Sequence, residues 1–487
     1  MGETGPNTVP PSPPRPKPDP KAPRQTLPLL SLDLRTRSDA EVALGFNEQQ
    51  ARAEALRCIQ CAKPACVQAC PLGIDIKRFI HRIAEGDYAG AHDVISEQSP
   101  FPGVCGRVCQ HELFCEDACV TGRRWEPVAI GSLERFAADH ARLRSQELAD
   151  GFQARPTGPK VALIGSGPAS LIAAYDLARW NYRVTVFEAL HRLGGVLAYG
   201  IPNFRLPRDI LREEIARLQK LGVEFVTNFI AGKTATIEDL FEEGFAAVFV
   251  GTGAGLPYLM GIPGENLIGV YTANEFLTRL NLMEAHRFPE HATPVHSGPR
   301  TVVVGGGNSA MDAARWAVRL GSETTILYRR GRAELKARLE EIEHAEEEGV
   351  RFEFLAAPVA LHGDSDGFVC EMECIRMELG EPDESGRRSP VPIPGSEFRI
   401  PVETVVAAIG QGPNPTLQKA TPQLHTKRGK IVIDEAGRTS MDHVYAGGDV
   451  VRGGSTVILA MKDGRAAAAA IHRALSGQEA APHEPHP

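Results

Sequence analysis

The fold is decided by the stretch Lys160-Val-Ala-Leu-Ile-Gly-Ser-Gly-Pro-Ala-Ser-Leu171, which is followed after a helix of small residues by Arg183-Val-Thr-Val-Phe-Glu188. The apolar run before Gly165 is typical of a buried parallel strand, and the glycines after it indicate a tight turn that opens a helix. Such a helix N-terminus offers free N–H groups to a pyrophosphate, and a carboxylate about 20 residues on can accept hydrogen bonds from ribose hydroxyls. This order predicts a dinucleotide-binding α/β fold. The alternative is an α/β turn without a ligand.

A second stretch of the same kind reads Thr301-Val-Val-Val-Gly-Gly-Gly-Asn-Ser-Ala310 and fits a strand followed by G-x-G-x-x-A. Its next strand, residues 323–330, ends in Arg329 and Arg330 instead of an acid. Guanidinium groups can pair with a ribose 2′-phosphate, whereas a carboxylate would repel it. The second site is therefore predicted to take NADP(H). The alternative is a basic pair on the surface.

Eight of the ten cysteines fall in two groups within a stretch that is predicted to be helical. The groups are Cys58-x2-Cys61-x4-Cys66-x3-Cys70-Pro71 and Cys105-x3-Cys109-x5-Cys115-x3-Cys119. The first has the form of a ferredoxin-type run with one gap widened, and thiolates at such spacings suit iron–sulfur clusters or zinc. Zinc would prefer two separable pairs without the Cys-Pro ending, so the pattern favours iron–sulfur clusters over zinc or inert thiols. Counting alone gives two sites of four cysteines each, and it does not show which cysteine sulfur binds which cluster.

Composition excludes several classes of protein. The net charge is -8 and the pI is about 6.0, which argues against a nucleic-acid-binding protein. No apolar run approaches the ~20 residues of a membrane helix, and the Pro-rich start shows no signal peptide. We therefore expect a cytoplasmic protein with no nucleic-acid or membrane partner, and cysteines that are thiols or metal ligands. Residues 1–30 are predicted to be a disordered tail.

Glycine-rich turns return towards the end of the chain. The strand that starts at Val405 is predicted to lead back into the first dinucleotide domain, and residues 443–449 form another strand and turn. The segment from Gly454 opens an Ala-rich helix, whose N-terminus could face the pyrimidine edge of a flavin. Between these segments, residues 340–348 are predicted to be the solvated face of a helix.

These motifs also carry a family resemblance that covers nearly everything beyond the Pro-rich start. Besides the first cysteine group, the matching motifs are Val104-Cys-Gly-Arg-Val-Cys109, Gly194-Gly-Val-Leu-Ala-Tyr-Gly-Ile-Pro202 with Phe204-Arg-Leu-Pro207, Gly305-Gly-Gly-Asn-Ser-Ala-Met-Asp312 and Ala446-Gly-Gly-Asp449. The chain resembles the small (beta) subunit of NADPH-dependent glutamate synthase. That family shares its module with the N-terminal part of dihydropyrimidine dehydrogenase and with the large subunit of electron-bifurcating ferredoxin:NADP oxidoreductase.

The resemblance implies an α/β protein with a helical iron–sulfur domain followed by two Rossmann-like domains, the second inserted in the first. The expected boundaries are 31–154 for the helical domain with two iron–sulfur clusters, 155–296 and 408–478 for a discontinuous FAD-binding domain, and 297–407 for an NADPH-binding domain.

The resemblance also implies two [4Fe–4S] clusters with crossed ligation. One would be held by Cys58, Cys61, Cys66 and Cys119, and the other by Cys70, Cys109, Cys115 and Glu134. Cys105 would then be a spare, although the sequence leaves open whether Glu134 or Cys105 completes the second cluster. The expected cofactor-binding residues are Gly165, Gly167, Pro168, Ala169, Glu188, Gly195, Leu197, Arg205, Gly305, Gly307, Asn308, Ser309, Asp312, Arg329, Arg330, Gly448, Asp449, Thr456 and Val457. Ser170 departs from the usual glycine of the flavin fingerprint, but it is small enough that FAD is still expected.

The implied function is electron input from NADPH through FAD and the clusters. The partner would be a large FMN-containing glutamate synthase (alpha) subunit, which makes glutamate from glutamine and 2-oxoglutarate, or another FMN or iron–sulfur redox subunit. No residue is expected to act as an acid–base catalyst, because the redox chemistry belongs to the cofactors. Two alternatives stay open: the NADP(H)-binding part of a bifurcating ferredoxin:NADP oxidoreductase or of a dihydropyrimidine dehydrogenase, and a non-enzymatic scaffold with dead cofactor sites.

Overall fold

The structure is a computed structural model that describes residues 17–145, 154–383 and 386–478. Its N-terminal domain is helical, as predicted. The helices are α1 (Leu32–Arg35), α2 (Glu48–Ala55), α3 (Ala65–Ala69), α4 (Ile76–Glu85), α5 (Tyr88–Ser96), α6 (Pro102–Val108) and α7 (Ile130–Ser145), with 3-10 turns at His111–Leu113 and Val120–Arg123. Asn47, Asp75 and Asp87 begin α2, α4 and α5 by accepting a backbone N–H of the first turn. The eight clustered cysteines lie on and between these helices, and their domain shares one apolar core with the domain that follows.

Residues 17–30 lie along the helical domain, which corrects the predicted disordered tail for this part of the chain. Arg24 donates to Glu116 Oε2 and to the carbonyl of Pro127, both at 2.7 Å. The backbone N–H of Gln25 donates to Glu54 Oε2 at 2.7 Å, and Leu27 packs against the core. These partners lie 29 to 103 residues further along the chain, so composition alone could not reveal them. Residues 1–16 of the predicted tail lie outside the described residues.

The first dinucleotide domain is a parallel sheet with helices between its strands. Its first part contains β1 (Lys160–Ile164), α8 (Pro168–Arg179), β2 (Arg183–Phe187), α9 (Val196–Tyr199), α10 (Arg208–Lys220), β3 (Glu224–Val226), α11 (Ile237–Glu242) and β4 (Phe245–Val250). The strand β1 lies between β2 and β4. Its residues from Val161 to Ile164 are buried, as the apolar run predicts for a central parallel strand.

The second domain also has a five-stranded parallel sheet. Its elements are β5 (Leu256–Pro257), β6 (Val270–Thr272), α12 (Ala273–Asn281), a 3-10 turn at Ala285–Arg287, β7 (Arg300–Val304), α13 (Asn308–Arg319), β8 (Glu323–Tyr328), a 3-10 turn at Arg332–Glu334, α14 (Leu339–Glu347), β9 (Arg351–Phe354), β10 (Ala356–Gly363), β11 (Val369–Pro382), β12 (Arg388–Pro392), β13 (Phe398–Pro401), β14 (Thr404–Ala407) and β15 (Gln411–Gly412). The parallel order is β6-β14-β7-β8-β9, and β10 to β13 form an antiparallel extension. Because β6 pairs with β14, the predicted domain start at residue 297 comes too late.

The chain then returns to the first domain, so the second domain is inserted in the first, as predicted. The returning elements are α15 (Thr416–Ala420), β16 (Thr426–Lys427), β17 (Lys430–Ile431), β18 (Val444–Ala446), α16 (Asp449–Arg452) and α17 (Val457–Ser476). The strand that starts near Val405 still belongs to the second sheet, and the crossing follows it, where β15 pairs with β5. The strand β18 pairs with β4 and completes the first sheet in the order β18-β4-β1-β2-β3. Within the described ranges, no helix combines the length and the apolar character that crossing a membrane requires.

Candidate functional site

The turn after β1 is shaped to receive a phosphate. Gly165 has a φ of +95°, and a Cβ there would lie 2.5 Å from the carbonyl oxygen of Gly251, so only glycine fits. A Cβ on Gly167 would meet nothing within 4 Å, and Gly167 precedes α8 without a capping side chain. The first N–H groups of α8, which begins with Pro168 and Ala169, therefore face open space at a positive helix end.

Glu188 lies buried against this turn at the end of β2. Its Oε2 accepts the N–H of Ser166 at 2.9 Å, and its Oε1 accepts the N–H of Leu190 at 2.8 Å. The hydroxyl of Ser166 also donates to Glu188 and accepts the N–H of Gly194 at 2.9 Å. Next to Gly194, Gly195 lies against the turn, since its Cβ would be 2.9 Å from Gly167 Cα. Glu188, the glycine turn after β1 and the loop before Leu197 are thus bonded or packed against one another, and they form the frame of the first site.

The N-terminal end of α17 lies at the same place. A Cβ on Gly448 would be 3.2 Å from the Cβ of Ala169, so the segment that carries Asp449 contacts the start of α8. Thr456 caps α17 by accepting the N–H of Leu459, two residues after Val457. Burial raises the pKa of Tyr199 to about 12, and the charges of Asp449 and Glu188 add to the rise. The structure therefore places the turn after β1, the acid after β2 and the segment that carries Asp449 next to one another.

Ser170, the departure from the flavin fingerprint, has a structural explanation. Its hydroxyl is buried and has no hydrogen-bond partner. A Cβ on Gly251 would lie 2.3 Å from that hydroxyl, so the glycine of the neighbouring strand end leaves the room that serine needs. The open helix end at Gly167 and this accommodated serine fit the dinucleotide that the fingerprint predicts.

The turn after β7 repeats the phosphate-binding design. Gly305 has a φ of +144°, and its Cβ would lie 2.3 Å from the carbonyl oxygen of Ala408. Gly307 faces open space and precedes α13 without a capping side chain. Asn308 and Ser309 begin α13, and Asn308 Oδ1 accepts the backbone N–H of Arg338 at 3.0 Å. The residues 305–309 therefore form a second open helix end.

The two arginines after β8 differ in burial and in their partners. Arg329 is exposed, as an arginine that receives a phosphate must be. Arg330 is buried, and it donates to Asp383 Oδ2 at 2.7 Å and to the carbonyl of Arg388 at 2.8 Å. Arg330 therefore joins the end of β8 to the antiparallel extension. Lys336 is also exposed. Desolvation lowers its pKa, and the nearby charges of Arg387 and Arg330 lower it further.

Arg205 and Asp312, both predicted to bind cofactor, form a salt bridge with each other. Arg205 Nη1 donates to both carboxylate oxygens of Asp312 at 2.9 and 2.8 Å, and its Nε lies 2.8 Å from Glu341 Oε1. Arg205 belongs to the first dinucleotide domain and Asp312 to the second, so this pair joins the two domains. Sequence spacing missed it because the partners are 107 residues apart.

The network continues through α14, where the predicted solvated face is present at Glu343, Glu346 and Glu347 but does not include every acid of the run. Glu341 and Glu348 are buried. Glu348 accepts from Arg315 at 2.8 Å and from Arg319 at 2.7 Å, and Arg35 lies 3.3 Å from it. Burial opposes ionisation of Glu348, but Arg315 and Arg319 hold its pKa down to about 2. The two buried acids of this run are thus the centre of an ion-pair network between α1, α13 and α14.

The cysteines meet across the helical domain in two sets. Burial raises the pKa of the Cys58 thiol to about 11 and that of Cys66 to about 12, and the neighbouring charges of Cys61 and Cys119 raise both further. Cys119 comes from the second sequence group, so the groups cross. In the part of the chain that the structure describes, no three Cys, His, Asp or Glu side chains converge on a single metal ion. The sets are therefore defined by the thiols that affect one another's pKa, and not by a formed coordination shell.

The second set contains Cys70, Cys109 and Cys115. Burial raises the pKa of each thiol, and the charge of Glu134 adds to the rise in all three. Glu134 is buried on α7, its Oε1 has no hydrogen-bond partner, and its Oε2 lies 3.5 Å from His111 Nε2. A buried carboxylate oxygen without a donor is costly. Its place beside three thiols fits a ligand of an iron–sulfur cluster.

Cys105 has different neighbours, although the charges of Glu134 and Cys109 also reach it. Its sulfur lies 3.7 Å from Met461 Sδ in α17 and 3.9 Å from Ser99 Oγ. These contacts place Cys105 against the first dinucleotide domain. The predicted spare sulfur is therefore packed at a domain contact.

Comparison with known proteins agrees with both halves of the chain. The family model for pyridine nucleotide-disulphide oxidoreductases matches residues 159–464. The model for dihydropyrimidine dehydrogenase domain II, 4Fe-4S cluster, matches residues 35–146. FprA of Mycobacterium tuberculosis in complex with NADPH has the same fold over 66% of this chain and 85% of its own, with 22% identity and a TM-score of 0.55.

Two relatives differ in how much of their length the chain covers. The beta subunit of the NADP(+)-dependent formate dehydrogenase of Moorella thermoacetica is 41% identical over 434 residues, which are 84% of this chain and 60% of that subunit. The small chain of the NADPH glutamate synthase of Azospirillum brasilense is 35% identical over 460 residues, which are 91% of this chain and 93% of that protein.

The matched models account for the cofactors: FAD and NADP(H) belong to the two dinucleotide folds, and the helical domain binds iron–sulfur. The protein is an NADPH-dependent flavin and iron–sulfur oxidoreductase subunit, and the two relatives described above are a beta subunit and a small chain. The chain belongs to the pyridine nucleotide-disulphide oxidoreductases and, within them, to the homologues of the glutamate synthase small chain.

Proposed function

We propose that this chain is the electron-input subunit of an NADPH-dependent glutamate synthase, and that it supplies a large FMN-containing subunit that makes glutamate from glutamine and 2-oxoglutarate. The observation that carries the proposal is the match to glutamate synthase small chains along almost the whole length of both proteins, 91% of this chain and 93% of the Azospirillum protein.

The order of the sites supports one direction of electron flow. When bound, NADPH would supply a hydride, FAD would take up its two electrons, and the clusters would pass single electrons to a partner. The exposed Arg329 and the open helix end at Gly307 hold the nucleotide, and the frame around Gly167 and Glu188 holds the flavin. In the second cysteine set Cys109 and Cys115 are buried and Cys70 is half-buried, whereas all four cysteines of the first set are half-buried. The first set is therefore the exit towards a partner.

A second candidate is electron input to another redox enzyme. The 41% identity to the formate dehydrogenase beta subunit favours it, because this exceeds the 35% identity to the glutamate synthase small chain. The same module would also serve a dihydropyrimidine dehydrogenase or a bifurcating ferredoxin:NADP oxidoreductase. The two candidates share the nucleotide, flavin and cluster sites and differ only in the partner.

Anaerobic purification of the native protein with its bound partner tests the proposal. We expect a large glutamate synthase subunit, and we expect the complex to form glutamate only when NADPH, glutamine and 2-oxoglutarate are all present. The isolated chain is the control, because it should oxidise NADPH with ferricyanide and form no glutamate. A complex that forms no glutamate but reduces NADP+ with formate would replace the first candidate with the second.

A further inference from the structure

Arg338 lies where the second dinucleotide domain meets the helical domain. It precedes α14, and its side chain is only 10% exposed. Its backbone N–H donates to Asn308 Oδ1 at 3.0 Å, which fixes it to the second phosphate-binding turn. This buried arginine belongs to one domain and reaches into another.

The guanidinium group of Arg338 spans the loop that carries Cys109. Its Nη1 donates to the carbonyl of Arg107 at 2.9 Å, two residues before that cysteine, and its Nε donates to Glu112 Oε1 at 3.2 Å, three residues after it. Its Nη2 lies 3.1 Å from Glu340. Residues before and after Cys109 therefore bind the guanidinium group, and they hold its positive charge at this loop.

We propose that Arg338 is a positioning residue that raises the reduction potential of the iron–sulfur centre held by the second cysteine set. Reduction adds one negative charge to such a centre, and a fixed cation in a low-dielectric interior stabilises the reduced form more than the oxidised form. The inference rests on the proposed assignment of Cys70, Cys109, Cys115 and Glu134 to one centre. It assigns to the nucleotide-binding domain a part in setting the potential of a centre that another domain holds.

A redox titration of the anaerobically purified protein, followed by electron paramagnetic resonance, tests the role of Arg338. In Arg338→Gln we expect the ratio of reduced to oxidised second-set centre at a fixed potential to fall about tenfold, which corresponds to a shift of about 59 mV for a one-electron couple. Arg338→Lys keeps the charge and should restore most of the shift. The first-set centre should keep its potential in both variants.

Two further variants complete the test. Arg332→Gln removes a cation from the same domain, but Arg332 is 52% exposed and pairs with Glu346, so its removal should change neither centre. Glu112→Gln removes an acidic partner of Arg338, so the second-set ratio should move in the opposite direction. If Arg338→Gln fails to load the centre, the sign of the Glu112→Gln shift decides.

An unchanged potential in a loaded Arg338→Gln protein overturns the inference, as does a Glu112→Gln shift that is absent or follows the sign expected for Arg338→Gln. Either result leaves the proposed function intact. Wild-type protein that lacks a second iron–sulfur signal would count against the proposed site assignment itself, and so against both.

Discussion

At the scale of single residues, the ligands of the second cysteine set decide how the chain holds iron. Cys105→Ala should keep both centres, because Cys105 packs against Met461 and Ser99. Cys109→Ala should lose one centre and stop electron export, while NADPH still reduces the flavin. Glu134→Ala should perturb one spectroscopic signal selectively, since a carboxylate oxygen is a harder ligand than a thiolate. Iron analysis and electron paramagnetic resonance measure all three. Loss of a centre in Cys105→Ala, with both signals unchanged in Glu134→Ala, would restore ligation by eight cysteines.

The two arginines after β8 give a matched pair of variants. Arg329→Gln should raise the KM for NADPH at least tenfold and leave that for NADH nearly unchanged, because a hydrogen bond to a charged group is worth roughly 1.5–3 kcal/mol. Arg330→Gln should lower thermal stability and have a smaller effect on that KM, since Arg330 is occupied by Asp383 and Arg388. Steady-state kinetics with both nucleotides measure the difference. Equal effects of Arg329→Gln on NADPH and NADH would make Arg329 an ordinary surface charge.

The sequence predicted the residues whose partners are local and missed those whose partners are distant. Gly165, Gly167 and Glu188 follow from a short motif, because a turn, a helix end and a strand end are adjacent in the chain. Arg205 and Asp312 also lie in recognisable motifs, yet their salt bridge joins two domains. No local pattern shows whether an arginine faces a phosphate or a carboxylate, so the motif could not reveal that Arg330 donates to Asp383 and to Arg388.

At the scale of elements, α10 presents a buried acid to the start of α6. Glu214 Oε1 accepts the N–H of Gly103 at 2.7 Å, and its other oxygen has no hydrogen-bond partner. Burial raises the pKa of Glu214 from 4.5 to about 7, although Arg217 and the Gly103 N–H oppose the rise. Between about pH 4.5 and 7, the folded protein therefore keeps a proton on Glu214 that the unfolded chain has already lost. This stabilisation is present at low pH and disappears as the pH rises through about 7.

Glu214→Gln should remove this pH dependence, because an amide oxygen still accepts from Gly103 and carries no charge. At pH 8 the variant should be more stable than the wild type by about 3 kcal/mol, since each pKa unit corresponds to about 1.4 kcal/mol. Melting temperatures between pH 5 and 8 measure the effect. Glu213→Gln, on the same helix and 36% exposed, is the control and should keep the wild-type slope. A parallel pH slope in Glu214→Gln would show that another group titrates.

Elements with a clear period were predicted well, and short ones were not. The helix Tyr88–Ser96 lies in the stretch that is predicted to be helical, and its buried residues recur with the helical repeat. In contrast, β6 has only three half-buried residues, and its place beside β14 depends on a partner far along the chain. The inserted domain was therefore predicted to begin too late.

At the scale of the whole molecule, the crossed cysteine sets predict the metal content. Anaerobically purified protein should hold about eight iron atoms and one FAD per chain, because each [4Fe–4S] cluster takes four protein ligands and the eight expected ligands form two sets. Iron, zinc and flavin analysis measure the content. Removal of the iron should abolish electron export and leave flavin reduction by NADPH. Stoichiometric zinc without visible charge-transfer absorption would contradict the iron–sulfur assignment.

The position of β18 in the first sheet sets an order of events during protein synthesis. This strand comes from residues 444–446, yet it pairs with β4 at residues 248–250. The ribosome delivers the chain from its N-terminus at about 5–20 residues per second, so the whole inserted domain emerges before the flavin-binding sheet is complete. The cysteine loops are available much earlier. Metal loading can therefore begin on the nascent chain, whereas flavin capture has to wait until residues 444–446 have emerged and β18 has paired with β4.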